Sequence, residues 1–172
     1  DFSSVVDIDG TTSGSVSRFN TGNWGGFLFD SVGAVSGAGV TFYAGAPFNF
    51  PQLVSATKTS FDITAGSAID APNLTSLVFS YLKLSGSAQF NSGMLTNIDN
   101  TRFELRGGAV FDRVAASTYY TGDLSGYMVV SVKDAGSYLD LSSVAQLRVG
   151  FRPWGGWTQY WEVRDGGTVD FS

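Results

Sequence analysis

The residues best suited to chemistry in this chain are aromatic and unevenly placed. Three of its four tryptophans, Trp154, Trp157 and Trp161, sit close together, and the phrase Trp154-Gly155-Gly156-Trp157 echoes Trp24-Gly25-Gly26-Phe27. Tyr119, Tyr120 and Tyr127 form a second aromatic group upstream, and Arg152 and Gln159 lie beside the tryptophans. Aromatic faces projecting from polar loops on a rigid scaffold are what the C–H face of a sugar ring stacks on, and planar polar side chains beside them can orient its hydroxyls. The same rings folded back over the scaffold would instead shield an apolar edge. Both readings stay open at this stage.

Other chemistry is poorly supplied. The chain has no His and no Cys, which removes imidazole bases, thiol nucleophiles, disulfides and the usual zinc sites. Glu104 and Glu162 are the only glutamates, and both fall on outward, strand-like positions; Asp123 and Asp134 have no evident carboxylate partner. A glycosidase needs two carboxylates a few ångströms apart. Lys58, Lys83 and Lys133 are the only lysines and none lies in a catalytic motif. The expectation is a protein that is not an enzyme, with no cofactor and no resident metal. A net charge of −5 disfavours nucleic acid, and an anionic polysaccharide for the same reason, unless a local basic patch overrides it. No apolar run reaches the ~20 residues of a membrane-spanning helix.

The elements that must position these side chains come from a repeat. From Val40 to Tyr119 the chain reads as four copies of one phrase with a 21-residue step. Val40, Phe61, Leu82 and Phe103 head the copies; Gly45, Gly66, Ser87 and Gly108 follow at a turn. Then come Phe48, Ile69, Phe90 and Phe111 on a second strand, each followed by Asn or Asp (Asn49, Asp70, Asn91, Asp112), and then Leu53, Leu74, Leu95 and the looser Ala116 on a third. A fixed period in the twenties marks a solenoid, whose repeats bury their apolar faces against their neighbours. In parallel stacking, Asp62, Lys83 and Glu104 form one outer column of alternating charge. The recurring Asn/Asp reads as a corner residue that tolerates a left-handed turn and bonds its own backbone, not as a catalytic or calcium-binding row.

After Tyr119 the spacing lengthens, to 28 residues between Phe111 and Leu139 and to 30 between Leu139 and Val169. The surrounding phrases still match, so the extra residues read as insertions at one corner, 120–129 and 148–160, the segments that carry the aromatic groups. Lys133 falls where a register of 28 wants an apolar residue, which predicts a bulge near Val130–Asp134. Residues 9–26 read as a polar loop leading into a strand at Phe27–Phe29, and 30–39 do not register with the repeat. The matching phrases at 1–8, 140–147 and 169–172 suggest a segment of a larger multidomain protein.

The phrases at 65–77 (Ala-Gly-Ser-Ala-Ile-Asp-Ala-Pro-Asn-Leu-Thr-Ser-Leu) and 135–144 (Ala-Gly-Ser-Tyr-Leu-Asp-Leu-Ser-Ser-Val) resemble the degenerate repeats of large bacterial surface and secreted β-solenoid proteins. The resemblance implies an all-β fold: a single domain over 1–172, built as a right-handed parallel β-helix of about six or seven repeats with three short strands each. It also implies secretion. Right-handed β-helices occur as carbohydrate-binding modules attached to plant-polysaccharide hydrolases, including a xylan-binding type, and the Trp/Tyr loops resemble what such a module needs. The expected partner is then a polysaccharide of the xylan or β-glucan type, held by Trp154, Trp157, Trp161, Tyr119, Tyr120, Tyr127 and Trp24, with Arg152 and Gln159 orienting it. The alternatives are a structural segment of a surface adhesin or fibre and, third, a polysaccharide lyase or hydrolase. A leucine-rich repeat, which Leu74–Leu84 meets only loosely, is the competing architecture.

Overall fold

The apolar residues of the repeat recur with period two inside short segments, many of which end near Gly, Pro, Asn or Asp. Chains of this kind form short strands that bury alternate side chains. The computed structural model describes residues 4–10, 17–20, 29–124, 126–150 and 158–172. Among these the protein is all β, with no helix and with every strand pairing parallel.

The strands are β1 (Asp7–Asp9), β2 (Ser17–Asn20), β3 (Ala34–Ala44), β4 (Phe48–Asn49), β5 (Ser55–Ile63) and β6 (Ala68–Ala71). Then follow β7 (Ser76–Val78), β8 (Tyr81–Ser85), β9 (Gln89–Ser92), β10 (Arg102–Arg106), β11 (Val110–Phe111) and β12 (Thr118–Tyr120). The last five are β13 (Met128–Lys133), β14 (Tyr138–Asp140), β15 (Gln146–Arg148), β16 (Tyr160–Arg164) and β17 (Thr168–Asp170). The largest sheet runs β1-β3-β5-β8-β10-β13-β16, with β2 also on β3 and β7 also on β5; β4-β6-β9, β11-β14-β17 and β12-β15 form three smaller sheets.

Pairing follows the repeat. Phe61, Leu82 and Phe103 are direct partners, as are Ile69 with Phe90 and Ala56 with Leu77. Each is an inward residue buried in one core cluster. Phe19, Phe42 and Phe61 stack ring on ring at 5.0 and 5.4 Å. The outer column is also as expected: Asp62 and Glu104 flank Lys83 in register, and Lys83 Nζ lies 2.8 Å from Asp62 Oδ2.

Four expectations are corrected. Phe61 pairs with Phe42, not with Val40, so this strand steps by 19 while Phe48–Ile69 keeps 21. The irregularity between Ser36 and Val40 starts the slip, and it ends where 45–47 separate the paired Ala44 and Phe48, against 64–68 between their partners Ile63 and Ile69. A slip of two keeps every side chain on its own face, so burial does not oppose it. Second, 17–20 form β2 on β3 inside the expected loop, and 34–36 register with 55–57. Third, the bulge lies between Met128 and Val130. Leu105 pairs with Val132, which leaves Lys133 outward, and the extra residue sits in the turn between Val132 and Leu139. Fourth, none of Asn49, Asp70, Asn91, Asp112, Asp140 and Asp170 has positive φ; Gly66 and Gly108 supply that at the preceding turn (φ 81 and 87). Asp140 and Asp170 do accept a bond from the backbone N–H two residues on, and Asn91 reaches along the column to Asp70.

One structural column was not foreseen. Thr59, Ser80 and Thr101 are buried hydroxyls with the 21-residue step. Ser80 Oγ accepts from the Thr59 N–H (3.2 Å) and donates to the Val78 carbonyl (2.8 Å); Thr101 Oγ1 donates to the Leu77 carbonyl. The hydroxyls satisfy backbone groups where β5 leaves β7 to join β8, as buried polar groups require.

Candidate functional site

The insertions expected at 120–129 and 148–160 fall at equivalent places, because β12 pairs with β15 and β13 with β16; the connections between those strands are 121–127 and 149–159, so the expected bounds overlap the strands by one or two residues at each end. Of the aromatic and polar residues expected to form a site, Trp24, Arg152, Trp154 and Trp157 lie outside the described residues.

Tyr119 does not present a face to a ligand. It occupies the inward position of β12 and is wholly buried, its hydroxyl donating to the Thr101 carbonyl and its ring edge-on to Phe103 and Trp161 at 6.1 and 5.9 Å. Burial pushes its phenol pKa far up. Trp161 is likewise inward, opposite Val130, half-buried against the core. Tyr120 points outward with the Arg148 guanidinium 5.8 Å from its ring. Gln159 is engaged on the scaffold: its Oε1 accepts from Thr121 Oγ1 (2.8 Å) and its amide donates to the Thr121 carbonyl, so it joins the two insertions. Of the described candidates, Tyr127 is the most open, at 53% exposed.

Tyr127 forms one wall of a cleft of about 320 Å³ whose other prominent residues are Lys58, Phe79, Tyr81, Arg102 and Asp123. Arg102 and Tyr81 are cross-strand partners on β10 and β8, which puts their side chains on the same outer face. The Arg102 guanidinium lies between two rings, 4.6 Å from the Tyr81 centroid and 5.1 Å from that of Tyr127. Its Nε donates to the Met128 carbonyl at 2.8 Å, fixing the fork at the mouth of the first insertion. The Tyr81 hydroxyl donates to Glu104, and Tyr81 is held above the usual phenol range by burial first, with Asp62 adding to this and Arg102 and Arg106 opposing it.

Lys58, Phe79 and Asn100 share an unusual backbone state, with φ of 55, 51 and 54. They are 21 residues apart and turn the chain at one corner, so Lys58 and Phe79 project beside the arginine. Phe79 is 43% exposed. Asn100 holds the far wall: its Nδ2 donates to Asp123 Oδ2 (3.1 Å) and its Oδ1 accepts the Asp123 N–H (3.0 Å). The arrangement offers two accessible aromatic surfaces, a fixed guanidinium, an ammonium and an anchored carboxylate. It can stack a flat apolar face and hydrogen-bond a rim of hydroxyls.

Tyr127 alone was expected here; Lys58, Phe79, Tyr81, Arg102 and Asp123 were not. A signal existed, since 58/79/100 and 60/81/102 follow the period, but it sits within the regular block and not in the insertions. Among the described residues no group of three or more Asp or Glu is placed to hold a metal ion, and no helix is long and apolar enough to cross a membrane. Comparison with protein-family models, with curated proteins and with solved structures found no match to this chain.

Proposed function

We propose that the chain is a non-catalytic carbohydrate-binding module built on a right-handed parallel β-solenoid, and that it recognises a plant cell-wall polysaccharide of the xylan or β-glucan type. The all-parallel ladders with a repeating register support the architecture, and right-handedness follows from the general hand of parallel crossovers. The observation that carries the binding reading is the cleft of Tyr127, Phe79 and the ring-sandwiched Arg102. Such a polymer lies outside cells, so the reading carries with it a secreted protein.

Affinity electrophoresis against a panel of xylans and β-glucans tests this. Retardation by at least one glycan is expected, lost in Tyr127→Ala and reduced in Trp154→Ala and Trp157→Ala. No retardation on any glycan, or unchanged retardation in Tyr127→Ala, refutes it.

A second reading, a structural segment of a surface fibre, is favoured by exposed apolar residues on strands and their flanks, Leu147, Val149 and Val163 at 42, 59 and 50%. It predicts concentration-dependent assembly in sedimentation velocity without glycan retention.

A further inference from the structure

The cleft holds two cations against one carboxylate, although the chain as a whole carries −5. The nearby acids are already engaged. Asp62 is paired with Lys83 at 2.8 Å, Glu104 with Arg106 and with the Tyr81 hydroxyl, and Asp123 with Asn100. Arg102 spends only its Nε on the scaffold; its two terminal amino groups have no hydrogen-bond or ion-pair partner among the described residues. Lys58 has no ion-pair partner among them either, and its side chain is exposed. A planar fork held between two rings, with its paired outer N–H groups open, matches a carboxylate bidentately.

We infer that the cleft takes a glycan bearing isolated carboxylates on a neutral backbone, a uronate-substituted polysaccharide, with the carboxylate on Arg102 and Lys58 and an adjoining sugar ring on Tyr127 and Phe79. The inference rests on the glycan-binding reading above and narrows its ligand. Spacing of the charges matters. One carboxylate feels the two cations at contact range, while further carboxylates along the chain meet a surface of net negative charge. Screening to a Debye length of about 8 Å at physiological ionic strength reduces that repulsion without reversing it. A sparse polyanion is therefore favoured over a dense one.

The test is affinity electrophoresis of the full chain at 20 and 150 mM salt with four polymers: glucuronic-acid-substituted xylan, the same xylan after carboxyl reduction, polygalacturonate and polyacrylate. The inference expects retention by the substituted xylan that weakens at least several-fold on carboxyl reduction. It also expects retention about tenfold weaker in Arg102→Gln and several-fold weaker in Lys58→Gln. Lys58→Gln removes an exposed, unpaired ammonium, so it reports on binding even where Arg102→Gln perturbs the fold. Equal retention by the reduced xylan overturns the inference and leaves the glycan-binding reading standing. Stronger retention by polygalacturonate or polyacrylate at 150 mM salt also overturns it, because the cleft would then be reading charge density. No retention by any sugar polymer here or in the neutral panel overturns both.

Discussion

Lys58 occupies a left-handed backbone conformation (φ 55) that its side chain does not favour, whereas Asn100, at the equivalent place two repeats on, adopts φ 54 with a residue type suited to it. Left-handed φ/ψ costs an ordinary L-residue about 1–2 kcal/mol, and Asn much less because its short polar side chain bonds locally. Lys58 is exposed and makes no ion pair among the described residues, so nothing in the side chain offsets that cost. Lys58→Asn should therefore stabilise the fold by about 0.5–1 kcal/mol. For a domain of this length that is a rise of roughly 1–4 °C in Tm. The control is Lys58→Gln, which removes the same charge and keeps a side chain of ordinary left-handed cost; its Tm should match the parent. Differential scanning calorimetry and urea midpoints on the three proteins decide it. A Lys58→Asn protein no more stable than Lys58→Gln would show that strain at this corner is not what the φ value implies. If Lys58→Asn is both more stable and weaker in glycan retention, stability has been exchanged for function at one residue.

Ser80→Ala removes the acceptor for the buried Thr59 N–H and should cost about 1–3 kcal/mol in urea denaturation, more than Ser87→Ala on the exposed turn. Burial raises the Tyr119 pKa in the folded chain, so the fold favours the neutral phenol. Stability should hold below the unfolded-tyrosine pKa near 10 and fall above it by up to ~1.4 kcal/mol per pH unit from this group. Denaturation midpoints between pH 9 and 12 should show a shallower decline in Tyr119→Phe. The Lys133 ammonium hydrogen-bonded to Glu162 (2.7 Å) holds that carboxyl below its usual range. Its contribution should be present above the usual glutamate pKa and vanish as pH falls through the lowered value, and thermal scans of Lys133→Met should show less acid sensitivity there.

How much the sequence disclosed depended on whether side-chain type reported on the feature. Phe61, Leu82 and Phe103 announced their pairing because the inward positions at the centre of this ladder face the apolar core. The 19-residue step at Phe42 was hidden because Val40-Thr41-Phe42-Tyr43-Ala44 alternates, and a shift of two buries residues of the same kind. The third strand position was read one turn early: Leu53 and Leu74 are buried in the turns that precede β5 and β7, while Ala56 and Leu77 carry the pairing. The insertions are legible because they break the period, whereas Tyr119 beside the first of them is marked inward by the period itself, in line with Leu77. The cleft went unread because Lys58, Phe79 and Asn100 have no chemical likeness. What they share is a positive φ, a property of the backbone that Lys and Phe do not advertise.

The central claim, that the cleft beside the first insertion binds a glycan, is tested most directly by isothermal titration of the parent and Tyr127→Ala proteins with an oligosaccharide of the retaining polymer. Covering one exposed tyrosine face, on the order of 60 Å² of apolar surface, is worth about 1.5 kcal/mol. Tyr127→Ala should therefore raise Kd by about tenfold, with Tm falling by only roughly 1–4 °C from loss of the half-covered ring and its contact with Arg102. An unaltered Kd in a folded Tyr127→Ala protein would contradict the account.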